Sequence, residues 1–125
     1  MADARTRSSR QAAWRSGRRA EWLAIQYLRL KGYRLLDRNV DTPYGEVDLV
    51  MRRGNLVIFV EVKRRAEGGE AGGAVTWNQQ QRIGRAVRHL AGLKRFGKPE
   101  DGVRIDIVLM APGRWPQHMV DAWRP

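Results

Sequence analysis

The sequence predicts an α/β fold in which a mixed central sheet is flanked by helices, and three observations lead to that fold class. Apolar residues first recur at three- and four-residue steps, which is typical of an amphipathic helix. Two alternating strand patterns then flank Gly54-Asn55, a dipeptide that favours a tight hairpin turn. A second helical pattern and a strongly apolar strand follow. The resulting order, α-β-β-β-α-β(-β), favours a sheet with helices packed against it.

Each predicted element has its own signal along the chain. The first helix is predicted to end before Gly32, which stands in the position of a C-terminal cap. Pro43 and Gly45 mark a turn between the first two strands. Asn78 followed by Gln81 resembles a capping box at the start of the second helix. The predicted helices are 14–31 and 78–95, and the predicted strands are 33–40, 46–52, 56–64, 103–110 and 118–123.

The 125 residues suit one domain with a substantial core. Residues 1–13 are polar and basic and are predicted to form a flexible arm, so the folded domain is expected to span residues 14–125. The glycine-rich segment 64–74 is predicted to be a mobile loop. No apolar run approaches the ~18 residues of a membrane span, and no apolar stretch follows the basic N-terminus as in a secretory signal. We therefore expect a cytoplasmic protein with no membrane partner.

Charge is the most distinctive property of the composition. Lys and Arg together number 24 against 13 acidic residues, which gives a formal net charge of +11. A compact domain with that charge attracts polyanions, and nucleic acid is the common partner of this kind. A GC-rich genome that places Arg on many surfaces is the ordinary alternative. Because the chain has no cysteine and only two isolated histidines, any metal is expected to be a hard cation held by carboxylates.

The predicted hairpin sorts its side chains into an apolar face and a charged face. One face is expected to carry Val47 opposite Val62, Leu49 opposite Val60, and Met51 opposite Ile58. The other is expected to carry Glu46 opposite Lys63, Asp48 opposite Glu61, and Val50 opposite Phe59. A one-residue slip would mix the two sets, so the clean apolar partition supports this register.

Asp48 and Glu61 would then have Cβ atoms about 5 Å apart. Like charges at that range repel by roughly 3 kcal/mol at an effective dielectric near 20. A protonated carboxyl, partial neutralisation by Lys63, or a bound divalent cation would each relieve the repulsion. The cation would also supply hydrolytic chemistry. An ordinary solvated strand face with alternating ion pairs is the plain alternative, although Val50 and Phe59 on the same face argue against full solvation.

Several motifs occur in a fixed order over residues 14–123. They are Gly17-x-x-Ala20-Glu21-x-x-Ala24-x-x-Tyr27-Leu28, Gly32-Tyr33, Asn39, Gly45-Glu46-Val47-Asp48-Leu49-Val50, Phe59-Val60-Glu61-Val62-Lys63-Arg64-Arg65 and Arg104-x-Asp106. Together they resemble the YraN-like family of predicted endonucleases. That family belongs to the PD-(D/E)xK nuclease superfamily and is similar to archaeal Holliday junction resolvases.

The resemblance implies a restriction-endonuclease-like fold and metal-dependent cleavage of DNA, with branched or flapped structures as candidate substrates. It implies that Asp48 and Glu61 bind Mg²⁺ or Mn²⁺ and that Lys63 is the catalytic lysine. Glu21 corresponds to an acidic residue that some members supply from the first helix, as a further metal ligand or as a catalytic group that orients Lys63. A glutamate at the edge of the apolar stripe that pairs with an arginine is the plain alternative. Because related resolvases act as dimers, the resemblance also implies a homodimer, although the sequence itself shows no dimer interface.

Nucleic-acid contacts are predicted for Arg64, Arg65, Gln79, Arg82 and Arg85. Arg64 and Arg65 directly follow the strand that carries Lys63. Arg82 and Arg85 lie on the basic side of the second helix, for which a solvated face is the alternative. Gln79 stands about where the resembled family carries a lysine, and it can hydrogen-bond a phosphate without adding charge. A non-catalytic nucleic-acid-binding module with a vestigial nuclease site is therefore the rival function, and RNA processing is a third.

Three further residues leave more than one role open. Glu46 is expected to act either as a supporting partner of Lys63 or as a plain salt bridge. Asp106, in an apolar strand beside Arg104, is predicted to form a buried structural ion pair or a cap rather than to act in catalysis. His118 stands alone in the sequence, so a surface or packing role is expected.

Overall fold

The computed structural model describes residues 4–64, 75–93, 95–97 and 103–123, with the backbone alone at residues 4–16. Its elements are α1 (Ala4–Leu30), β1 (Arg34–Thr42), β2 (Gly45–Arg53), β3 (Leu56–Arg64), α2 (Trp77–Gly92), β4 (Arg104–Met110) and β5 (Gln117–Trp123). The strands form one sheet in the order β1-β2-β3-β4-β5. β3 and β4 are parallel and the other neighbours antiparallel, so the predicted α/β class with a mixed sheet is confirmed.

The two helices cover opposite faces of the sheet, because successive strand residues point to opposite sides. The core beneath α1 contains Ala20, Ala24, Ile25, Leu28, Tyr33, Leu49, Met51, Ile58, Val60, Val108 and Met110. The core beneath α2 contains Val40, Val47, Val50, Phe59, Ile83, Ala86, Val87, Leu90 and Ile105. The sheet is therefore buried on both sides along β3 and β4, which explains why β4 is apolar almost throughout.

α1 begins at Ala4, well before the predicted start at residue 14, and runs for 27 residues. The segment predicted as a flexible arm is thus helical from Ala4 onwards. Residues 4–16 contain neither glycine nor proline and are rich in Ala and Arg, which favour helix even where no apolar stripe is present. Gly32 ends the helix as predicted, with a φ of 93°, and the Tyr33 N–H donates to the Leu28 carbonyl at 3.0 Å. Among the described residues, neither helix is both long and apolar enough to cross a membrane.

α2 begins at Trp77, and its N-cap is Thr76 rather than Asn78. The Gln79 N–H donates to the Thr76 hydroxyl at 3.2 Å, and the Thr76 N–H donates to Gln79 Oε1 at 3.0 Å. The capping box therefore joins Thr76 and Gln79, and its assignment to Asn78 and Gln81 was wrong. Threonine and asparagine both cap helices, so the sequence offered two overlapping boxes that only the backbone distinguishes.

The hairpin of β2 and β3 has the predicted register over the five pairs from Arg53–Leu56 to Leu49–Val60. Beyond Leu49 the backbone pairing of the two strands ends, and β2 continues paired with β1 alone. The ideal alternation of faces does not continue past this point. Val47, predicted to lie on the face of Leu49, packs instead in the core beneath α2, whereas Val62 packs against the core beneath α1.

Asp106 is fully buried, with 0% of its surface exposed. Arg104 donates to both of its carboxylate oxygens at 2.8 Å, and the Asp121 N–H donates to it at 3.0 Å. His118 Nε2 lies 2.7 Å from the same carboxylate, and Lys31 Nζ lies 2.6 Å from His118 Nδ1. Since an ammonium group can only donate, Nδ1 accepts and Nε2 carries the proton directed at Asp106. The predicted buried ion pair is confirmed, and His118 is hydrogen-bonded to it rather than solitary.

Candidate metal centre

The candidate site forms where β2 separates from β3. Backbone pairing of these strands ends at Leu49 and Val60. Beyond that pair, the Val62 N–H donates to Asp48 Oδ2 at 2.8 Å, so a side-chain carboxylate takes the place of a backbone acceptor. The carboxyl groups of Asp48 and Glu61 are close enough to interact directly. The predicted proximity of these two acids is confirmed.

Burial and repulsion raise the pKa of both acids. Burial is the main reason that the pKa of Asp48 rises to about 6; the Val62 N–H opposes the rise and the charge of Glu21 adds to it. The pKa of Glu61 rises to about 8 through burial and the charge of Asp48, while Lys63 acts in the opposite direction. At neutral pH the pair therefore holds a proton unless an added cation compensates its charge.

Lys63 is the basic side chain nearest to this pair on β3. Its Nζ lies 3.9 Å from Glu61 Oε1, and the two side chains are 23% and 12% exposed. The lysine can therefore meet an incoming anion while its acidic partner stays largely covered. Glu46 does not lie opposite Lys63 as predicted, because the pairing of β2 with β3 ends at Leu49, before Glu46 is reached. Glu46 instead accepts a hydrogen bond from Asn39 Nδ2 at 2.9 Å.

Three carboxylates converge at the start of β2. Glu21 of α1 and Glu46 and Asp48 of β2 each offer an oxygen, and these oxygens lie within 4.8 Å of one another. The sequence predicted Asp48, Glu61 and Glu21 as the metal-binding set. The structure places Glu21 and Asp48 together as predicted, adds Glu46, and keeps Glu61 beside Asp48. Glu46 is thus a candidate ligand that sequence reasoning had placed only in a supporting role.

Asn39 holds the cluster together. Its Nδ2 donates to both oxygens of Glu21 at 3.2 Å as well as to Glu46, while Arg18 donates to its Oδ1 at 3.2 Å. Its φ is 52°, a left-handed conformation that asparagine tolerates better than most residues do. Sequence reasoning noted Asn39 only as a motif position. The tolerance of asparagine for a left-handed φ was the signal from which this backbone conformation could have been predicted.

The donor set fits a hard divalent cation. Every candidate ligand is a carboxylate oxygen, the donor type that Mg²⁺ and Mn²⁺ prefer over softer metals. Glu21 and Asp48 are half-buried, so their charges are only partly screened by water. A cation held by Glu21, Glu46 and Asp48 would relieve the repulsion that raises the pKa of Asp48.

Arg82 of α2 is a predicted nucleic-acid contact whose charge acts on the acids. It lowers the pKa of Glu61, as expected of a nearby positive charge. Its side chain crosses Gly45, where a Cβ would stand 3.4 Å from Arg82 Cδ and where φ is 126°. Glycine at this position therefore lets the β1–β2 turn pass close beneath the arginine, next to Glu46 and Asp48.

The other predicted nucleic-acid contacts lie in different surroundings. Arg64 is exposed at the end of β3, and Arg85 is exposed on α2 one turn after Arg82. The side-chain oxygen of Gln79 is engaged in the capping box, which leaves its NH₂ group to donate. Arg65 lies outside the described residues, as does most of the predicted glycine-rich loop.

Relatives of the chain are numerous and resemble it over most of its length. A UPF0102 protein from Parvibaculum lavamentivorans is 52% identical over 115 residues, covering 91% of this chain and 85% of the relative. One from Maricaulis maris is 48% identical over 120 residues, covering 96% and 93%. One from Sphingopyxis alaskensis is 44% identical over 117 residues, covering 94% and 99%.

The family model that matches describes an uncharacterised protein family, UPF0102, and spans residues 20–110. That range includes Glu21, Asn39, Glu46, Asp48, Glu61 and Lys63, and it also includes the whole of α2. Both the model and the relatives cover the greater part of the chain. The chain therefore belongs to the uncharacterised protein family UPF0102.

Proposed function

We propose that the protein is a metal-dependent phosphodiesterase that cleaves DNA, with branched or flapped structures as its substrates. One observation carries the proposal. Asp48 and Glu61 lie side by side where two strands separate, Glu21 and Glu46 approach Asp48, and Lys63 stands 3.9 Å from Glu61. The resemblance to the PD-(D/E)xK superfamily and the restriction-endonuclease-like fold it implies agree with this arrangement.

Glu21, Glu46 and Asp48 would hold Mg²⁺ or Mn²⁺, with Glu61 beside them. When bound, the cation would supply Lewis-acid activation of water and neutralisation of charge on the phosphate. The chain's own contribution is to fix these carboxylates in advance. Asn39 orients Glu21 and Glu46, and the Val62 N–H orients Asp48. Side chains fixed in this way lose little conformational freedom when the reaction begins.

Lys63 adds a positive charge at the edge of this cluster. An ammonium group beside the phosphate stabilises the negative charge that develops in the transition state. Lys63 also favours the ionised form of Glu61, whose pKa would otherwise be higher still. The lysine and the acid are therefore expected to work as one unit.

The charge of the whole domain favours a polyanionic substrate. The net charge is +11 although several acids are gathered in one place, so the remaining surface is strongly basic. Arg82 and Arg85 lie on α2 beside the cluster and Arg64 lies at the end of β3, where they are available for phosphate contacts. The homodimer implied by the resemblance stays a prediction.

One observation favours the rival function, a binding module with a vestigial site. Gln79 takes the place of a lysine in the resembled family, and its side-chain oxygen is occupied by the helix cap. A neutral, partly engaged side chain would add little to the stabilisation of a phosphate. The rival therefore predicts DNA binding without cleavage.

Cleavage of labelled linear, single-stranded, flap and four-way-junction DNA tests the proposal. With Mg²⁺ or Mn²⁺ the wild type is expected to cut at least one of these substrates, and with EDTA none. Asp48→Asn should lose the activity and keep its DNA affinity, because asparagine still accepts from the Val62 N–H but cannot serve as a charged ligand. Asp37→Asn, which changes a partly exposed acid paired with Arg95, is the matched control and should cut normally.

Tight DNA binding by the wild type with no cleavage of any of these substrates would contradict the proposal and favour the binding module. Competition between DNA and RNA of the same sequence would separate DNA cleavage from RNA processing.

A further inference from the structure

A second, basic cleft lies beside the acidic cluster. It has a volume of about 500 Å³ and is lined by Tyr44, Arg85, Arg88 and His89. Tyr44 is the residue of the β1–β2 turn that directly precedes Gly45, and the other three belong to α2. The cleft therefore joins the turn that leads into Glu46 and Asp48 to the basic side of the helix.

The aromatic wall of the cleft is exposed and held in place. The rings of Tyr44 and His89 meet edge to face, with centroids 6.0 Å apart and planes at 68°. Tyr44 nevertheless stays 46% exposed, so the adjacent helix does not cover its ring. An ordered ring with an open face is the kind of platform on which an unpaired base stacks.

The two arginines of the cleft have no acidic partner among the residues that the structure describes. Arg85 and Arg88 are both exposed, and within those residues no carboxylate oxygen lies within 4.0 Å of either guanidinium. Their donors are therefore available to an external anion. Guanidinium groups pair with phosphate through two parallel hydrogen bonds, which suits a sugar-phosphate backbone.

The arginines of the cleft continue a row that begins at Arg82 on the same helix. Arg82, Arg85 and Arg88 follow one another at three-residue steps, and the helix rises about 1.5 Å per residue, so Arg82 and Arg88 are about 9 Å apart along its axis. The three arginines thus lead from Arg82, whose charge acts on Glu61, to the cleft that Arg85 and Arg88 line.

We propose that this cleft binds an unpaired nucleotide of the substrate, with the base stacked on Tyr44 and the phosphate held by Arg85 and Arg88. The inference rests on the proposed function, because the nucleotide it places belongs to the substrate of the proposed nuclease site. In a duplex both faces of a base are covered by its neighbours, so only an unpaired base can use the ring. The cleft therefore selects DNA with a single-stranded segment next to the cleavage position.

Fluorescence anisotropy with a labelled single strand and a blunt duplex of the same sequence tests the inference, in EDTA so that nothing is cut. Tyr44→Leu keeps an apolar side chain but removes the aromatic face, and it should weaken single-strand binding about 10-fold while leaving duplex binding unchanged. Trp115→Leu is the matched control, since Trp115 is 80% exposed in the β4–β5 connection, and it should alter neither affinity.

The salt dependence of binding separates the arginines from the ring. Arg85→Ala and Arg88→Ala should each reduce the slope of log affinity against log salt for the single strand by about 0.7, whereas Tyr44→Leu should leave the slope unchanged. Arg114→Ala, which removes an exposed arginine from the β4–β5 connection, is the control for general charge and should leave single-strand discrimination intact.

Equal effects of Tyr44→Leu on single strand and duplex, or no effect on either, would overturn the inference. If the wild type cuts DNA and Tyr44 makes no difference to single-strand binding, the cleft proposal fails while the nuclease proposal stands. If Tyr44 controls single-strand binding and no DNA is cut, the cleft proposal stands and the nuclease proposal fails.

Discussion

Lys63→Met is expected to lower the rate of DNA cleavage by at least about 100-fold, the scale on which removal of one charge-stabilising group acts. Methionine is an unbranched, uncharged side chain only one atom shorter than lysine, so the loss reflects the charge. Two effects act together. The transition state loses a neighbouring cation, and Glu61 loses the positive charge that favours its ionised form.

The measurement is single-turnover cleavage at saturating protein, which separates the rate of the chemical step from binding. Arg64→Met, the next residue along β3, is the matched control because it also removes one positive charge. It should weaken DNA binding and leave the saturated rate close to that of the wild type. A Lys63→Met variant that cuts at the wild-type rate would remove lysine from the proposed chemistry.

Asp106→Ala is expected to lower the free energy of unfolding by about 3–5 kcal/mol, the range found when one partner of a buried ion pair is removed. Asp106 has no exposed surface and accepts from Arg104, His118 and the Asp121 N–H. Its removal leaves these donors without their acceptor, and the His118 side chain is only 2% exposed, so water cannot readily replace the carboxylate.

Urea unfolding of the wild type, Asp106→Ala and Asp37→Ala measures this difference. Asp37 pairs with Arg95 at 2.9 Å, but the two side chains are 35% and 53% exposed, so its removal should cost no more than about 1 kcal/mol. If Asp106→Ala does not fold, Asp106→Asn should fold and still be clearly less stable than the wild type. Equal losses for the two aspartates would contradict the structural role of Asp106.

The stabilising effect of Asp106 should also survive in mild acid. Burial raises its pKa, but the hydrogen bonds from His118, Arg104 and the Asp121 N–H outweigh burial and hold the pKa below its ordinary value. A carboxyl with a lowered folded-state pKa stabilises the fold fully above its unfolded pKa of about 3.9. That stability is lost only as the pH falls through the folded value. The gap between wild type and Asp106→Ala should therefore stay constant down to about pH 5 and close below about pH 4.

The hairpin is the part of the fold that sequence reasoning could predict most closely. Gly54-Asn55 sets a two-residue turn, and the apolar pairs on one face admit a single register. The proximity of Asp48 and Glu61 was predicted by extending that register one pair beyond Leu49 and Val60, where the backbone pairing ends. Local rules suffice here because every contact involved lies within one hairpin.

The remainder of the site depends on contacts between elements that are distant in the sequence. Asn39 reaches Glu21 and Glu46 only because α1 packs across β1 and β2, and no local pattern reveals that crossing. Val47 changes face because β2 leaves β3, which a model of an ideal hairpin does not contain. His118 joins Asp106 through the pairing of β4 with β5, whose register is interrupted between Ile105 and Ile107.

The helix boundaries were mispredicted for a different reason. The start of α1 lacks an apolar stripe. Hydrophobic periodicity therefore cannot detect this part of the helix. At α2, two candidate capping boxes overlap by two residues, and Thr76 and Asn78 are both good caps. The backbone conformation before the helix determines which of the two residues is the N-cap.

Titration of Mn²⁺ into the protein by calorimetry tests the central claim most directly, because it requires no knowledge of the substrate. The wild type is expected to bind the cation, Asp48→Asn and Glu46→Gln are expected to lose that binding, and Asp37→Asn is expected to keep it. Absence of binding in the wild type, or unchanged binding in Asp48→Asn, would contradict the assignment of this cluster as a metal centre.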